Sequence, residues 1–176
     1  MLAKHRQEEA RKLTLPDGTL VPVRTIRPDD APALQRLFGR LSERSVHLRF
    51  FGPMKKLSDK MAKDLSEVDE TNRCALVALD PEQPDEIIAV VRFSREGDTD
   101  KAEYAAVVED GWQDRGVGLG LTRQLIEEAR GRGIRRLYGL VMPENRRMLK
   151  LLRSLDLPER EGRTGGTKYV EVELAD

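Results

Sequence analysis

The sequence predicts an α/β chain of the α+β kind, with one central sheet, mixed but mostly antiparallel, flanked by helices. Three observations carry this. Strand-like runs at Arg73–Leu79, 86–94 and Lys101–Val108 follow one another, separated by turn residues (Pro81 and Pro84, then Glu96-Gly97-Asp98), as antiparallel hairpins require. After them, two helix-spaced apolar stripes enclose a strand at 134–141, a βαβ arrangement that demands a parallel neighbour. The length of 176 residues, 39% hydrophobic and 35% charged, suits one domain with a core large enough to need no covalent staples.

Taken in order, residues 1–13 read as a polar arm and 14–176 as a single domain. Pro16-Asp17-Gly18 is a turn, and 20–26 alternates as the first strand. Asp29 or Asp30 is placed to cap a helix whose Leu34, Leu37, Phe38 and Leu41 fall at i, i+3, i+4 and i+7. Residues 42–56 read as a loop with a helical turn, and Ser58 as the cap of a short helix carrying Met61, Ala62 and Leu65 inward. A helix over 116–130 buries Leu121, Leu125, Ile126 and Ala129 and ends at Gly131 and Gly133. Pro143-Glu144-Asn145 opens another, with Met148, Leu151, Leu152 and Leu155 as its apolar stripe, and 167–174 is the last strand.

Composition narrows function. Acidic and basic residues balance at 31 each, which argues against nucleic-acid or membrane-surface partners. A single cysteine, Cys74, rules out an internal disulfide and fits a reducing, cytoplasmic setting. With only His5 and His47 beside it, no metal site is expected. Cys74 itself reads as a small core residue of a strand.

The informative segment is 104–120, where a strand runs into a glycine-spaced turn that opens a helix. The first amides of a helix lack intrahelical partners, and the helix dipole adds partial positive charge there. Gly116, Gly118 and Gly120 would let backbone approach an anion closely, so the turn is a candidate pyrophosphate cradle, with Arg115 as a candidate charged contact. A dinucleotide turn would need glycine where Leu121 stands, and a P-loop would need a lysine before Thr122. A ligand-free connection is the remaining alternative, although three glycines in a first turn cost roughly 1 kcal/mol each in helix stability.

Gln113-x-x-Gly116-x-Gly118 resembles the Gln/Arg-x-x-Gly-x-Gly/Ala signature of GNAT acetyltransferases, and the element order over 14–174 is similar to theirs. The segment 41–53, with Ser42, Ser45, Arg49, Phe50, Phe51 and Pro53, resembles Pat-type bacterial protein lysine acetyltransferases more specifically, as does Ala102-Glu103-Tyr104-Ala105. The resemblance implies acetyl-CoA as acyl donor, with its pyrophosphate on Gln113, Asp114, Arg115, Gly116, Val117, Gly118, Leu119 and Gly120. Its pantetheine arm would pair like a strand with Ala106, Val107 and Val108, and the Val108 N–H would face the oxyanion. Glu103 corresponds to the general base, although from position alone it is an ordinary exposed strand carboxylate. Asn145 corresponds to an asparagine that bonds the cofactor arm, or is simply a helix-opening polar residue. Seven residues on, where many relatives carry a tyrosine acid, this chain has Leu152.

The expected activity is therefore acyl transfer from acetyl-CoA to a primary amine. The acceptor favoured by the resemblance is a protein lysine ε-amine, for example on an acyl-CoA synthetase. A small-molecule amine, and an acyl-CoA sensor without turnover, are the alternatives. A homodimer is left open, and the domain often fused to Pat-type enzymes is not expected within these 176 residues.

Overall fold

A computed structural model describes residues 11–69 and 71–174. Eight strands form one sheet in the order β1-β2-β3-β4-β5-β6-β8-β7. The strands are β1 (Lys12–Thr14), β2 (Leu20–Thr25), β3 (Arg73–Leu79), β4 (Ile87–Arg95), β5 (Lys101–Val108), β6 (Arg136–Val141), β7 (Glu159–Thr164) and β8 (Thr167–Glu173). All neighbours are antiparallel except β5 and β6. The helices are α1 (Ala31–Arg40), α2 (Glu43–Phe50), α3 (Asp59–Ser66), α4 (Val117–Gly131) and α5 (Arg146–Ser154), with 3-10 turns at Pro28–Asp30 and Asp110–Trp112. None among the described residues is long and apolar enough to cross a membrane.

The sheet separates two cores. On one face Cys74, Leu76, Val91 and Phe93 meet Leu121, Leu125 and Ala129 of α4 and Leu152 of α5. On the other, Ala75, Val77 and Val90 meet Leu34, Leu37 and Phe38 of α1 and Ala62 of α3. Period-two alternation in the strands and a 3.6-residue period in the helices produce both cores.

Four expectations are corrected. Asp30 does not cap α1 with its side chain; its carboxylate instead takes both Arg24 nitrogens (2.6 and 2.8 Å) and the Arg27 N–H (2.7 Å), which engages both oxygens away from the helix amides. The loop read over 42–56 contains a two-turn helix, α2, capped where Ser42 Oγ accepts from the Ser45 N–H at 3.1 Å. An additional strand, β7, pairs with β8 around Gly165, whose φ of +63° makes the tight turn. The sheet also starts earlier than the strand at 20–26, with β1 pairing Lys12 to Pro22 and burying Leu13. The rest of the polar arm, 1–10, lies outside the described residues.

Candidate active site

The site begins where β5 loses its neighbour. On its β4 side β5 is paired along its length, from Arg95↔Ala102 to Ala89↔Val108. On its β6 side it pairs over three residues only, Lys101↔Arg136, Ala102↔Leu137 and Glu103↔Tyr138. Beyond Glu103 the two parallel strands diverge, and a cleft of about 720 Å³ opens between them.

Which β5 groups face this cleft follows from ladder alternation. The Glu109 N–H donates to Ile88 O at 2.8 Å, so residues 109, 107 and 105 direct their N–H and C=O toward β4. Ala106 and Val108 then direct theirs toward the opening. The Val108 carbonyl accepts from Gln113 Nε2 at 2.9 Å. The same Gln113 nitrogen reaches Ser45 Oγ at 3.2 Å, tying the turn to α2. Asp110 strengthens that tie, accepting from Ser42 N–H (2.9 Å), Ser42 Oγ (2.8 Å) and Ser45 Oγ (3.0 Å). Burial pushes the Asp110 carboxyl up, but these hydrogen bonds outweigh it and hold the group below its ordinary value.

The N-terminus of α4 forms the cleft floor. Gly116 occupies the N-cap at φ +92° with no side-chain cap, so side chains leave the amides of the first turn to other partners. A Cβ on Gly116 would meet Pro16 Cδ at 2.9 Å, and one on Gly118 would meet Leu151 Cδ1 at 3.0 Å. Both line the cleft with Val117 and Leu119. Gly120 and Arg115 do not. A Cβ on Gly120 would lie 2.2 Å from Leu13 Cδ1, so this glycine serves close packing of α4 on β1. Arg115 lies over the Trp112 ring at 4.3 Å and pairs with Asp17 at 3.0 Å, holding the turn from outside. Asp114, at φ +62°, lines the rim and faces Arg147 at 3.2 Å.

Glu103 is exposed at the point of divergence and lines the cleft. It shares a sheet face with Val107 and Ala105, the face on which α2 packs. Its charge is felt by two neighbours. The half-buried Arg49 is pulled down by desolvation and partly restored by Glu103. The Tyr138 phenol is pushed up by desolvation, then by the Glu103 charge. Glu144, which lines the cleft, has its Oε1 3.8 Å from His47 Nε2.

Asn145 lines the cleft as the N-cap of α5, its Oδ1 accepting from the Met148 N–H at 3.2 Å. Leu152 is buried in the core and does not line the cleft; α5 offers Met148 and Leu151 to it instead. Tyr104 is buried, and its hydroxyl is engaged with Thr122 Oγ1 at 2.7 Å; desolvation holds this phenol far above its ordinary range. Sequence reasoning missed Asp110 and Leu140, the second an exposed leucine on the β6 wall. Asp110 had a signal in the two serines of 42–45, but its partners lie 65 and 68 residues away in the chain.

Residues 42–156 match the acetyltransferase (GNAT) family. An acetyltransferase of Pseudomonas aeruginosa, PA5475, is 30% identical over 139 residues, covering 78% of this chain and 75% of that protein. The GNAT domain of Streptomyces lividans PAT superposes with a TM-score of 0.86 at 32% identity, over 93% of this chain and 96% of that one. A putative acetyltransferase of Salmonella typhimurium, solved with acetyl-CoA, shares the fold at 16% identity (TM-score 0.67, 89% of this chain and 95% of that one).

Proposed function

This chain belongs to the GNAT acetyltransferase family and is an acyl-CoA-dependent N-acetyltransferase, and we propose that it moves the acetyl group of acetyl-CoA onto a protein lysine ε-amine. The observation that carries this reading is the short pairing of β5 with β6, which leaves the Ala106 and Val108 amides turned toward the cleft. The pantetheine arm pairs with Ala106 as a further strand would, and the small side chains of Ala106, Val107 and Val108 keep that edge accessible. The pyrophosphate sits on the uncapped first turn of α4, at Gly116, Val117, Gly118 and Leu119, where the helix dipole favours an anion. Asn145 lies alongside the arm, and Gln113 holds the Val108 carbonyl so that its amide stays aimed at the thioester oxygen.

The chemistry is direct attack. A lysine amine is protonated at pH 7, and freeing its lone pair costs about 4–5 kcal/mol. The Glu103 carboxylate takes that proton, directly or through water, as the nitrogen bonds to the thioester carbon. Negative charge on the carbonyl oxygen is met by the Val108 N–H. The C–S bond then breaks, coenzyme A leaves as a thiolate, and the nitrogen gives up its second proton to water, which leaves a neutral amide. With a thiol pKa of about 8.5, the sulfur needs no dedicated acid, which fits the placement of Leu152 in the core.

A protein acceptor is favoured by the 41–53 segment, which forms α2 and the wall beside Glu103, and by the likeness to the S. lividans PAT domain. An acyl-CoA synthetase lysine is the first acceptor to try. The balanced charge and lone buried cysteine fit a cytoplasmic setting. The test is incubation with acetyl-CoA and host lysate, reading new lysine modifications by mass spectrometry beside a Glu103→Gln control. New acetyl-lysines that disappear with Glu103→Gln, while acetyl-CoA binding persists, support the reading. An unchanged yield removes Glu103 as base, and acetylation of small amines alone removes the protein acceptor.

A further inference from the structure

A second, smaller cavity lies behind the β5 wall, between the sheet and helices α1 and α3. It shares Arg49, Ala105 and Val107 with the main cleft, so the two adjoin at the strand that would seat the acyl group. Its lining is apolar, including Phe38, Phe50 and Leu65, except for two guanidiniums, Arg49 from α2 and Arg92 from β4. Arg92 stands directly opposite Ala105 in the β4–β5 register.

These cations are poorly compensated. Arg92 donates from Nη1 to Leu65 O at 3.0 Å, and the neighbouring charges that bear on it are Arg49 and Arg73, both of its own sign. Burial and those two neighbours pull it down to about 9, which leaves it charged at neutral pH. Arg49 lies over the Phe50 ring at 4.8 Å and is hydrogen-bonded to no described residue; Glu103, at the mouth, is the carboxylate it senses. Two guanidiniums in an apolar pocket are costly unless an anion joins them. The group that suits a guanidinium fork is a carboxylate.

Size limits the guest. The cavity holds about 40 Å³, room for roughly two to four water-sized groups at 10–15 Å³ each, which admits a carboxylate and excludes a long chain. We propose that Arg49 and Arg92 form a carboxylate site beside the acyl seat, taking the acid end of a short dicarboxylyl thioester or the carboxylate of the acceptor amine. This rests on the acyl-CoA reading above: a donor carboxylate narrows the acyl group, and an acceptor carboxylate would put a small amino acid in place of the protein lysine.

Calorimetry on the whole chain compares succinyl-CoA with butyryl-CoA, its neutral counterpart of equal chain length, and acetyl-CoA serves as reference. A donor carboxylate in the site gives succinyl-CoA an affinity at least about tenfold above butyryl-CoA, the usual size of a charge-assisted contact. The advantage closes in Arg92→Met, while the acetyl-CoA affinity stays put. With acetyl-CoA as donor, kcat/KM for glycine against methylamine reads the other source, and a tenfold preference for glycine that Arg92→Met abolishes assigns the site to the acceptor. Parity in both wild-type pairs overturns the proposal whether or not the variant folds, as does a preference that survives Arg92→Met. Failure to bind any of the three thioesters overturns the acyl-CoA reading itself, and this site with it.

Discussion

The two edges of β5 differ sharply. Toward β4 the strand is paired along its length, between two cores. Toward β6 it is paired for three residues and then released. Both edges belong to the same eight residues, so side-chain propensity cannot explain the contrast. The neighbour explains it. β6 is held to β8 over six residues, from Arg136↔Glu173 to Val141↔Lys168, and follows that partner away from β5. A binding cleft thus arises where backbone donors are left without a strand to satisfy them, and a ligand with amide groups can take that place.

The sharpest way to break this comparison is to remove one N–H from each edge. Val107→Pro deletes a donor aimed at Val90 in the closed ladder; unpairing that carbonyl in the core costs at least about 1–3 kcal/mol and lowers the thermal midpoint. Ala106→Pro deletes a donor aimed at the cleft. Its thermal midpoint is expected near wild type, while acetyl-CoA affinity by calorimetry falls about two- to tenfold, one hydrogen bond's worth. If both variants unfolded alike, the open edge would not be open.

A second pair sharpens the division within α4. Gly120→Ala forces a methyl onto the buried Leu13 and is expected to lose roughly 1–3 kcal/mol in denaturant titration, with coenzyme A binding preserved in what folds. Gly118→Ala crowds Leu151 and Val108 inside the cleft and is expected to weaken binding with little loss of stability. The effect of pH is smaller. Because Asp110 titrates below its unfolded value, its contribution is intact above about pH 4 and is lost as pH falls through the depressed folded value. Asp110→Asn should lower the neutral plateau of a stability–pH curve and flatten its acid limb, so that the two proteins converge at low pH.

Much of the fold was legible because local pattern and final environment agree. The bounds of β3 and β5 match the expected runs, and Ser58 caps α3 as its position suggests, accepting from Met61 at 3.1 Å. The misses have different causes: Asp30 is claimed by the nearby Arg24 and Arg27, while others depend on distant partners or on an exposed edge. Among the eight residues of α2 only Val46 is buried, and the helix is fastened through Asp110, far along the chain. Strand β7, Glu-Arg-Glu-Gly-Arg-Thr, shows no alternation because it lies at the sheet edge with almost every side chain in solvent. At the site, the spacing of Gly116 and Gly118 was visible, whereas the role of Gly120 depends on Leu13, which only the folded chain brings against it. Arg92 read as one strand residue among many until the register set it opposite Ala105.

The divergence of β5 from β6 has one more consequence. The cleft is lined by both faces of β5, by Tyr104, Ala106 and Val108 on one side and Glu103, Ala105 and Val107 on the other, so it borders both faces of the sheet. Two reactants can approach β5 from its two faces and be resident together, neither waiting for the other to depart. Initial-rate plots should then intersect, and a single molecule joining coenzyme A to the acceptor should occupy both sides of the cleft at once.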